Sequence, residues 1–273
     1  MKILVTGAKG MLGQDLCPIL EDEDFDVIET DVDTLDITNP ENIDAVFGEY
    51  APDFVIHCAA YTNVDKAEDE KELAFKINAQ GTENLAKACK KLDIPILYIS
   101  TDYVFDGTKK GKYLPTDKTN PINVYGASKL AGEEAVRKNE KHYITRTSWL
   151  YGHHGKNFVE TMISLKDKEE LKVVDDQIGC PTWTVELADA IVKIITEEMP
   201  FGTYHTCGSG HTSWYGFAQK IFELYGAKVN LKPCTTDEFP RKANRPKNSI
   251  MDNNHICRKW ETALKEYMEL RCE

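Results

Sequence analysis

The stretch KILVTGAKGMLGQDL, residues 2–16, connects an apolar run of strand length to an amphipathic helical pattern through three glycines. Gly7, Gly10 and Gly13 follow the spacing G-x-x-G-x-x-G. Glycines in such a strand-to-helix turn permit a tight bend and let the backbone approach a pyrophosphate, which the helix N-terminus attracts. The stretch therefore predicts the first crossover of a dinucleotide-binding sheet, with Met11 and Leu12 also at the cofactor.

Further apolar runs alternate with helical patterns up to about residue 150. Such alternation is typical of the α/β class, here a Rossmann-type doubly wound parallel sheet. Residues 1–150 are predicted to form the dinucleotide-binding domain. Residues 151–273 are predicted to form mainly a smaller C-terminal substrate-binding lobe, with some segments returning to the first domain. The later predicted strands of the sheet are FDVIE (25–29), DFVIHC (53–58), ILYIS (96–100) and HYITRTS (142–148), and its predicted helices cover about 11–20, 41–47, 73–91 and 125–137.

The composition limits the kinds of partner that the chain can bind. Its 273 residues include 33 basic and 45 acidic side chains, which give a formal net charge of -12. This charge repels nucleic-acid backbones and anionic lipid surfaces, so we expect neither nucleic acid nor membrane as a partner. There is no signal-peptide pattern and no apolar run of membrane-spanning length, so we expect a cytoplasmic location. The eight cysteines are scattered without metal-ligand spacing, which predicts reduced thiols and no metal site.

Acidic and small residues follow the second and third predicted strands. Asp31 stands where a carboxylate can accept hydrogen bonds from an adenosine ribose, although a turn aspartate is the alternative. Residues 14–65 contain 15 acidic side chains and no Lys or Arg, so a 2′-phosphate would find only Lys9 nearby. We therefore expect NADH to be preferred over NADPH, or both to be tolerated. The other residues expected at the cofactor are Asp36, Ile37, Ala59, Ala60, Tyr61, Ile99 and Asn78, of which Asn78 is explained equally well by helix packing.

The stretch NVYGASKLAGE, residues 123–133, contains the only Tyr-x-x-x-Lys pair of the chain, Tyr125 and Lys129. A solvated helix pair is the ordinary explanation of this spacing. However, Thr101 and Asp102 emerge at the carboxyl edge of the fourth predicted strand, where open α/β sheets bind ligands, and the pair follows on the next helix. There, an adjacent ammonium group and a cationic nicotinamide are expected to lower the pKa of Tyr125 towards neutrality.

These motifs together resemble the extended short-chain dehydrogenase/reductase superfamily, which carries an N-terminal G-x-x-G-x-x-G and a Ser/Thr, Tyr-x-x-x-Lys catalytic set. Within it, the chain is similar to reductases of nucleotide-linked 4-keto-6-deoxy sugars. The resemblance implies that NADH or NADPH reduces the C4 keto group of such a sugar. It is carried by STDYVFDG (100–107), NVYGASKLAGE, RTSWLYG (146–152), NFVETM (157–162), DQIGCPT (176–182) and RPKNS (245–249).

The resemblance also implies a role for each matching residue. Tyr125 would donate a proton to the C4 carbonyl oxygen, and Thr101 would hydrogen-bond that oxygen. Lys129 would hold the nicotinamide ribose and lower the pKa of Tyr125. Thr101, Tyr125 and Lys129 are therefore the predicted catalytic residues, and Thr101 and Asp102 are also expected to contact the substrate.

The second lobe is expected to bind the deoxythymidine diphosphate moiety of the nucleotide-sugar substrate. Resemblance places Trp149 at this pocket, although a packed core position explains it about as well. Asn157, which opens a predicted helix, and Arg245 are candidate diphosphate contacts, with helix capping and surface pairing as the alternatives. A homodimer, and a divalent metal at an interface between subunits, are left open.

Two other functions are compatible with the same scaffold. A nucleotide-sugar 4,6-dehydratase is expected to carry an Asp-Glu pair after the catalytic Thr, whereas this chain has Asp102 and Tyr103. An epimerase is harder to exclude from motifs. A non-catalytic, dinucleotide-binding regulatory subunit is the other alternative, and an intact set of Thr101, Tyr125 and Lys129 argues against it.

Overall fold

A six-stranded parallel sheet forms the centre of the computed structural model, which describes residues 1–271; Cys272, one of the eight cysteines, lies outside the described residues. The strands of this sheet are β1 (Lys2–Thr6), β2 (Asp26–Thr30), β3 (Phe54–His57), β4 (Ile96–Thr101), β5 (His142–Thr147) and β10 (Gly202–His205). Their order is β10-β5-β4-β3-β1-β2, and every neighbouring pair is parallel. The chain leaves β1 first for β2 on one side and then for β3 on the other. This reversal places a ligand crevice at the carboxyl ends of β1 and β3.

Helices cover both faces of the sheet because the inner strands are apolar on both sides. Ile3 and Val5 of β1 pack into one core with α1 (Met11–Asp22) and α8 (Thr184–Thr196), whereas Leu4 points into the other. The second core is completed by α2 (Pro40–Tyr50) and α5 (Thr82–Leu92). Side chains that alternate between two buried faces explain why these strands read as continuous apolar runs. The prediction of an α/β, doubly wound parallel sheet is confirmed.

The helix expected over residues 73–91 is present but contains a π-helical segment. The chain forms the short helices α3 (Val64–Ala67) and α4 (Lys71–Phe75), then a π-helical segment at Lys76–Gly81, and then α5. A π-helical turn inserts one extra residue per turn and redirects side chains, and such turns are frequent at functional sites. After β4 comes a single 3-10 turn at Asp102–Val104, and the next helix is α6 (Val124–Val136). These two elements frame the carboxyl end of β4.

Most of the chain after residue 150 packs beside the sheet around an aromatic core. Two segments of it nevertheless belong to the sheet, since β10 pairs with β5 and α8 packs on α1. The division into a dinucleotide-binding part and a substrate-binding part stays a prediction. None of the helices formed by residues 1–271 has the length and apolar character that crossing a membrane requires. The remaining elements are β6 (Leu150–Tyr151), α7 (Phe158–Ser164), β7 (Leu171–Val174), β8 (Ile178–Gly179), β9 (Thr182–Trp183), β11 (Thr212–Ser213), α9 (Trp214–Tyr225), β12 (Leu231–Cys234) and α10 (Trp260–Leu270).

Candidate active site

The glycine turn after β1 forms a bare backbone surface at the start of α1. Gly7 has φ +70°, and a Cβ there would lie 2.7 Å from the backbone nitrogen of Ala59. Gly10 caps α1 without a side-chain hydrogen bond, and the first turn of the helix has no acidic residue. The first N–H groups of α1 are therefore left for a ligand, and the helix dipole adds partial positive charge. This turn fits a pyrophosphate.

A cleft of about 920 Å³ opens at this turn and follows the carboxyl edge of the sheet. It brings together most of the residues that the sequence marks as site residues. Four others, Tyr61, Asn78, Asn157 and Arg245, are not part of its lining. The predicted residues that line it are Gly7, Gly10, Met11, Leu12, Gly13, Asp31, Asp36, Ile37, Ala59, Ala60, Ile99, Thr101, Asp102, Tyr125, Lys129 and Trp149.

The end of the cleft beyond β2 is acidic. The carboxylate of Asp31 accepts hydrogen bonds from the backbone N–H groups of Lys9 (3.0 Å) and Val32 (2.8 Å). The Lys9 ammonium lies 2.5 Å from Asp33 Oδ2, and this contact lowers the pKa of Asp33. Both side chains are largely exposed, so the pair is weak and easily rearranged. The Lys9 ammonium is thus already shared with a carboxylate.

Asn78 and Tyr61 hold the loop after β3 against the helix that carries Tyr125. Asn78 is buried, and its side chain accepts from Tyr61 N (2.8 Å) and donates to Tyr61 O (3.0 Å) and Ser128 Oγ (2.9 Å). Ser128 in turn donates to the carbonyl oxygen of Tyr125 (2.8 Å). The Tyr61 hydroxyl donates to Glu70 (2.7 Å). These contacts support the cleft from behind; direct contact of either residue with a cofactor stays a prediction.

Tyr125 and Thr101 meet because α6 packs unusually close to the turn after β4. A Cβ at Gly126 would lie 2.1 Å from the carbonyl oxygen of Tyr103, so only glycine allows this approach. Asn123 caps the helix by accepting from Gly126 N (2.7 Å), as N-cap asparagines do. The first turn of α6 therefore holds the Tyr125 phenol beside the Thr101 hydroxyl at the cleft wall.

The pKa of Tyr125 differs from the expectation. Burial, together with the Asp102 carboxylate, raises it well above its usual value, and the Thr101 hydroxyl only partly opposes this. In the chain itself, desolvation and the Asp102 carboxylate outweigh any effect of the Lys129 ammonium. Tyr125 consequently keeps its proton at neutral pH. The lowering of this pKa expected beside a nicotinamide stays a prediction.

Lys129 is buried at the floor of the cleft. Its side chain is 3% exposed, and its Nζ lies 4.1 Å from the centre of the Tyr98 ring. Burial lowers the pKa of Lys129 to about 7, while the charge of Glu133 acts in the opposite direction. Tyr98 is itself fully buried. An ammonium group at this depth needs a further polar partner, such as the hydroxyls of a ribose.

A buried ion pair beneath Lys129 was not found from the sequence. Glu133 is fully buried and accepts two hydrogen bonds from Arg146, both at 2.8 Å, and one from Ser100 (2.6 Å). Arg137 also pairs with it (2.7 Å). This network joins α6 to β4 and β5. Glu133 is the last residue of the motif NVYGASKLAGE, and Arg146 is the first residue of RTSWLYG. Nothing in their spacing along the chain predicts that the two side chains pair.

Asp102 lies next to Thr101 and is almost fully buried. Thr101 Oγ1 donates to its Oδ1 (3.0 Å), whereas its Oδ2 has no hydrogen-bond partner among residues 1–271. Burial raises the pKa of Asp102 to about 6, and the neighbouring hydroxyls of Ser249 and Thr101 act against this. Asp102 is thus a carboxyl group that changes charge near neutral pH.

The substrate end of the cleft contains a tryptophan pair. Trp149, with φ +49°, stacks on Trp214 with ring centres 3.6 Å apart, and both line the cleft. Asn157 caps α7 by accepting from Glu160 N (3.1 Å) and donates to Gly152 O (2.7 Å). Arg245 forms a two-bond ion pair with Asp65, at 2.9 and 3.1 Å. Asn157 thus caps a helix and Arg245 forms an ion pair, which are the structural roles named above as alternatives to diphosphate binding. Binding of a diphosphate by either residue stays a prediction.

No three or more His, Cys, Asp or Glu side chains in the described part of the chain form a group that could hold a metal ion. His153 and His154, which are adjacent in sequence, make separate contacts. His153 stacks on Tyr267 with ring centres 4.3 Å apart, and His154 Nε2 lies 3.3 Å from Asp15 Oδ1.

Comparison with known proteins gives a consistent result. Residues 1–270 match the family model described as RmlD substrate binding domain. A crystal structure of a dTDP-4-dehydrorhamnose reductase from Clostridium acetobutylicum is 48% identical, covers 100% of both chains and has a TM-score of 0.97. A dTDP-4-dehydrorhamnose reductase from Bacillus anthracis, solved in complex with NADP, is 44% identical over 98% of this chain and 99% of that one, with a TM-score of 0.95. A curated dTDP-4-dehydrorhamnose reductase from Aggregatibacter actinomycetemcomitans is 39% identical over 97% of each protein.

Proposed function

The chain belongs to the family described as RmlD substrate binding domain, and we propose that it reduces the C4 keto group of dTDP-4-dehydro-L-rhamnose with NADH or NADPH to give dTDP-L-rhamnose. The observation that carries this proposal is the arrangement of Thr101, Tyr125 and Lys129 on the wall of one cleft whose other end is the glycine turn. Relatives that are 39–48% identical over nearly their whole length bear the name of this activity. The reaction is a step in the synthesis of a nucleotide sugar.

The bare backbone turn at Gly7 and Gly10 supports a nicotinamide dinucleotide in this cleft. Gly7, Gly10 and Gly13 would hold its pyrophosphate, Asp31 its adenosine ribose, and Lys129 its nicotinamide ribose. When bound in its reduced form, this cofactor supplies the hydride. Lys9 and Asp33 would decide how well a 2′-phosphate is accepted, and a preference for NADH or tolerance of both forms stays a prediction.

Tyr125 is suited to donate a proton to the C4 oxygen. A reduction needs the protonated phenol, and the raised pKa of Tyr125 keeps it protonated across the neutral range. Thr101 would hold the same oxygen through its hydroxyl. The rigid placement of both groups by the close packing of α6 supplies the orientation on which such catalysis depends.

The tryptophan pair is the best-built surface for the rest of the substrate. Trp149 and Trp214 present stacked rings at the cleft, and flat aromatic surfaces suit a thymine base or a sugar ring. Asn157 and Arg245 are proposed for the diphosphate, which would require Arg245 to exchange its contact with Asp65 for the ligand. A cytoplasmic location is a further proposal that rests on the sequence arguments.

The rival functions on this scaffold are less well supported. Tyr103 stands where a 4,6-dehydratase needs a second acid, and solved dehydratases and an epimerase are only 17–18% identical, which shows a common fold alone. A regulatory subunit without activity would have no need for a tyrosine, a threonine and a lysine held so closely.

The test is to mix the purified chain with dTDP-4-dehydro-L-rhamnose and NADH, and separately NADPH, while the absorbance of the reduced cofactor is followed. The proposal expects one cofactor oxidised per sugar reduced, with dTDP-L-rhamnose as the product identified by NMR. A dehydratase, an epimerase or a regulatory subunit would consume no cofactor. Measured cofactor binding without any oxidation would therefore reject the proposal.

A further inference from the structure

Asp102 and Glu133 are both buried carboxyl groups near the predicted catalytic residues, but their surroundings differ. Glu133 is paired with Arg146 and Arg137. Asp102 is 2% exposed, its Oδ2 has no hydrogen-bond partner in the described residues, and no cation forms an ion pair with it there. A buried carboxylate without a positive partner is costly, whereas a buried carboxylic acid is much less so. The site therefore makes ionisation of Asp102 less favourable than it is in water.

The hydrogen bonds of Thr101 depend on the proton of Asp102. A threonine hydroxyl has one hydrogen and two acceptor lone pairs. Thr101 Oγ1 already accepts from Tyr103 N (3.2 Å) and lies 3.0 Å from Asp102 Oδ1. If Asp102 is ionised, it can only accept, so it takes the single hydrogen of Thr101. If Asp102 is protonated, it can donate to the second lone pair of Thr101, and the threonine hydrogen is then free.

We propose that Asp102 is a positioning residue which, in its carboxylic acid form, donates a hydrogen bond to Thr101 and so turns the Thr101 hydroxyl towards the ketone oxygen of the substrate. This inference rests on the proposed reductase function. No proton leaves Asp102 during the reaction; Tyr125 still supplies the proton that the C4 oxygen gains. When Asp102 ionises, the Thr101 hydrogen turns back to the carboxylate, and the ketone loses one hydrogen-bond donor.

The groups that face Asp102 do not supply a compensating positive charge. They are the phenol of Tyr125 from α6, the ring of Tyr103, the hydroxyl of Ser249, and the thiols of Cys180 and Cys207. With a pKa of about 6, Asp102 passes between its two forms in an accessible pH range. Lys129 on α6, with a pKa of about 7, also titrates in this range, so the effect of Asp102 has to be separated from that of Lys129.

D102N separates them, because an asparagine amide resembles the carboxylic acid: its NH2 can donate to Thr101, and it stays uncharged at every pH of the experiment. The single-turnover rate of cofactor oxidation is measured from pH 5.5 to 8 for wild type, D102N and T101A, with the exposed carboxylate variant D237N as the matched control. Rate ratios to wild type remove the contribution of Lys129. We expect the D102N ratio to rise from about one at pH 5.5 to about tenfold at pH 8, the size of one hydrogen bond to the reacting oxygen.

T101A tests the same inference without relying on the folding of D102N. Its ratio to wild type is expected to be about one tenth at pH 5.5 and to approach one at pH 8, since ionised Asp102 has already withdrawn the hydroxyl. A constant T101A ratio, or a D102N ratio that tracks D237N, would overturn the inference while leaving the reductase function intact. Absence of any reduction by the wild type would instead overturn the proposed function and, with it, this inference.

Infrared difference spectra provide a readout that needs no turnover. The carboxylic acid carbonyl band of the ligand-free wild type should disappear as the pH rises through about 6, and the corresponding difference should be absent in D102N. If the wild type shows no such titration above pH 5, Asp102 is ionised throughout the working range and the inference fails.

Discussion

Replacing Lys129 with methionine should make the protein more stable and at the same time inactive. Lys129 is fully enclosed, and burial lowers its pKa from 10.5 to about 7. At 1.36 kcal/mol per pKa unit, holding the ammonium in the folded chain costs about 5 kcal/mol at most. Methionine has a similar length and no charge. It loses the contact with the Tyr98 ring, worth about 1 kcal/mol, so a gain of about 4 kcal/mol is expected at pH 6.

The pH dependence of this gain follows from the direction of the shift. Below pH 7 both the folded and the unfolded wild type carry the charge, so the whole cost is present. Between pH 7 and 10.5 the folded chain has released a proton that the unfolded chain still binds, so the stability of the wild type rises with pH. At pH 9 the folded lysine is neutral and has no cation–π contact to lose, so the advantage of K129M should shrink to about 2 kcal/mol.

Urea unfolding of wild type and K129M at pH 6 and pH 9, followed by tryptophan fluorescence, measures both quantities. K228M, at an exposed lysine, is the matched control and should be close to neutral at both pH values. Turnover of K129M should fall by about 10² or more, since the proposed ribose contact is lost. An unfolding free energy of K129M that equals or falls below that of the wild type at pH 6 would show that Lys129 is not held there at a cost.

Three further predictions concern individual side chains. Y125F should bind NADH almost as the wild type does, by fluorescence titration, while its turnover falls by about 10² or more; near-normal turnover would dismiss Tyr125 as the proton donor. D33N should free Lys9 for a 2′-phosphate and raise the ratio of kcat/KM for NADPH over NADH by about fivefold. If kcat/KM of the wild type is already at least about a hundredfold higher with NADPH than with NADH, the expected tolerance of NADH is contradicted. If the diphosphate takes the place of Asp65 beside Arg245, R245Q should raise KM for the nucleotide sugar by about tenfold with little change in NADH binding, whereas D65N should leave KM nearly unchanged. Equal effects of both variants on KM would assign Arg245 a structural role only.

The elements that could be predicted from the sequence are those whose pattern is local. The strands β1, β3 and β4 are buried on both faces, so each appears as a largely apolar run. The observed bounds of β1 to β5 differ from the predicted ones by a residue or so. The glycine turn and the Tyr-Lys pair are also local patterns with a mechanical reason. The helix predicted over 73–91 contains a π-helical segment at Lys76–Gly81, which the apolar spacing did not indicate. Asn78 in this segment accepts a hydrogen bond from Tyr61 N.

The contacts that could not be predicted join residues that are far apart in sequence. Arg245 and Asp65 are separated by 180 residues, and nothing near either one indicates the other. The stack of Trp149 on Trp214 likewise depends on a left-handed backbone at Trp149. The raised pKa of Tyr125 could not be foreseen for a related reason: it depends on how much solvent the folded chain excludes, and sequence spacing shows the neighbouring lysine but not the burial.

The two buried carboxyl groups beside the site show how the same residue type comes to serve stability or chemistry. Glu133 satisfies its charge with Arg146, Arg137 and the Ser100 hydroxyl, and this network fixes α6 on the sheet. Burial lowers the pKa of Lys129, and the charge of Glu133 offsets this only in part. Asp102 lacks any such partner and is held near its own midpoint of ionisation. The arginines thus pair with Glu133, which fixes α6, whereas Asp102 and Lys129 at the cleft have no full ion-pair partner within residues 1–271. A bound ligand can therefore change the protonation of these two groups.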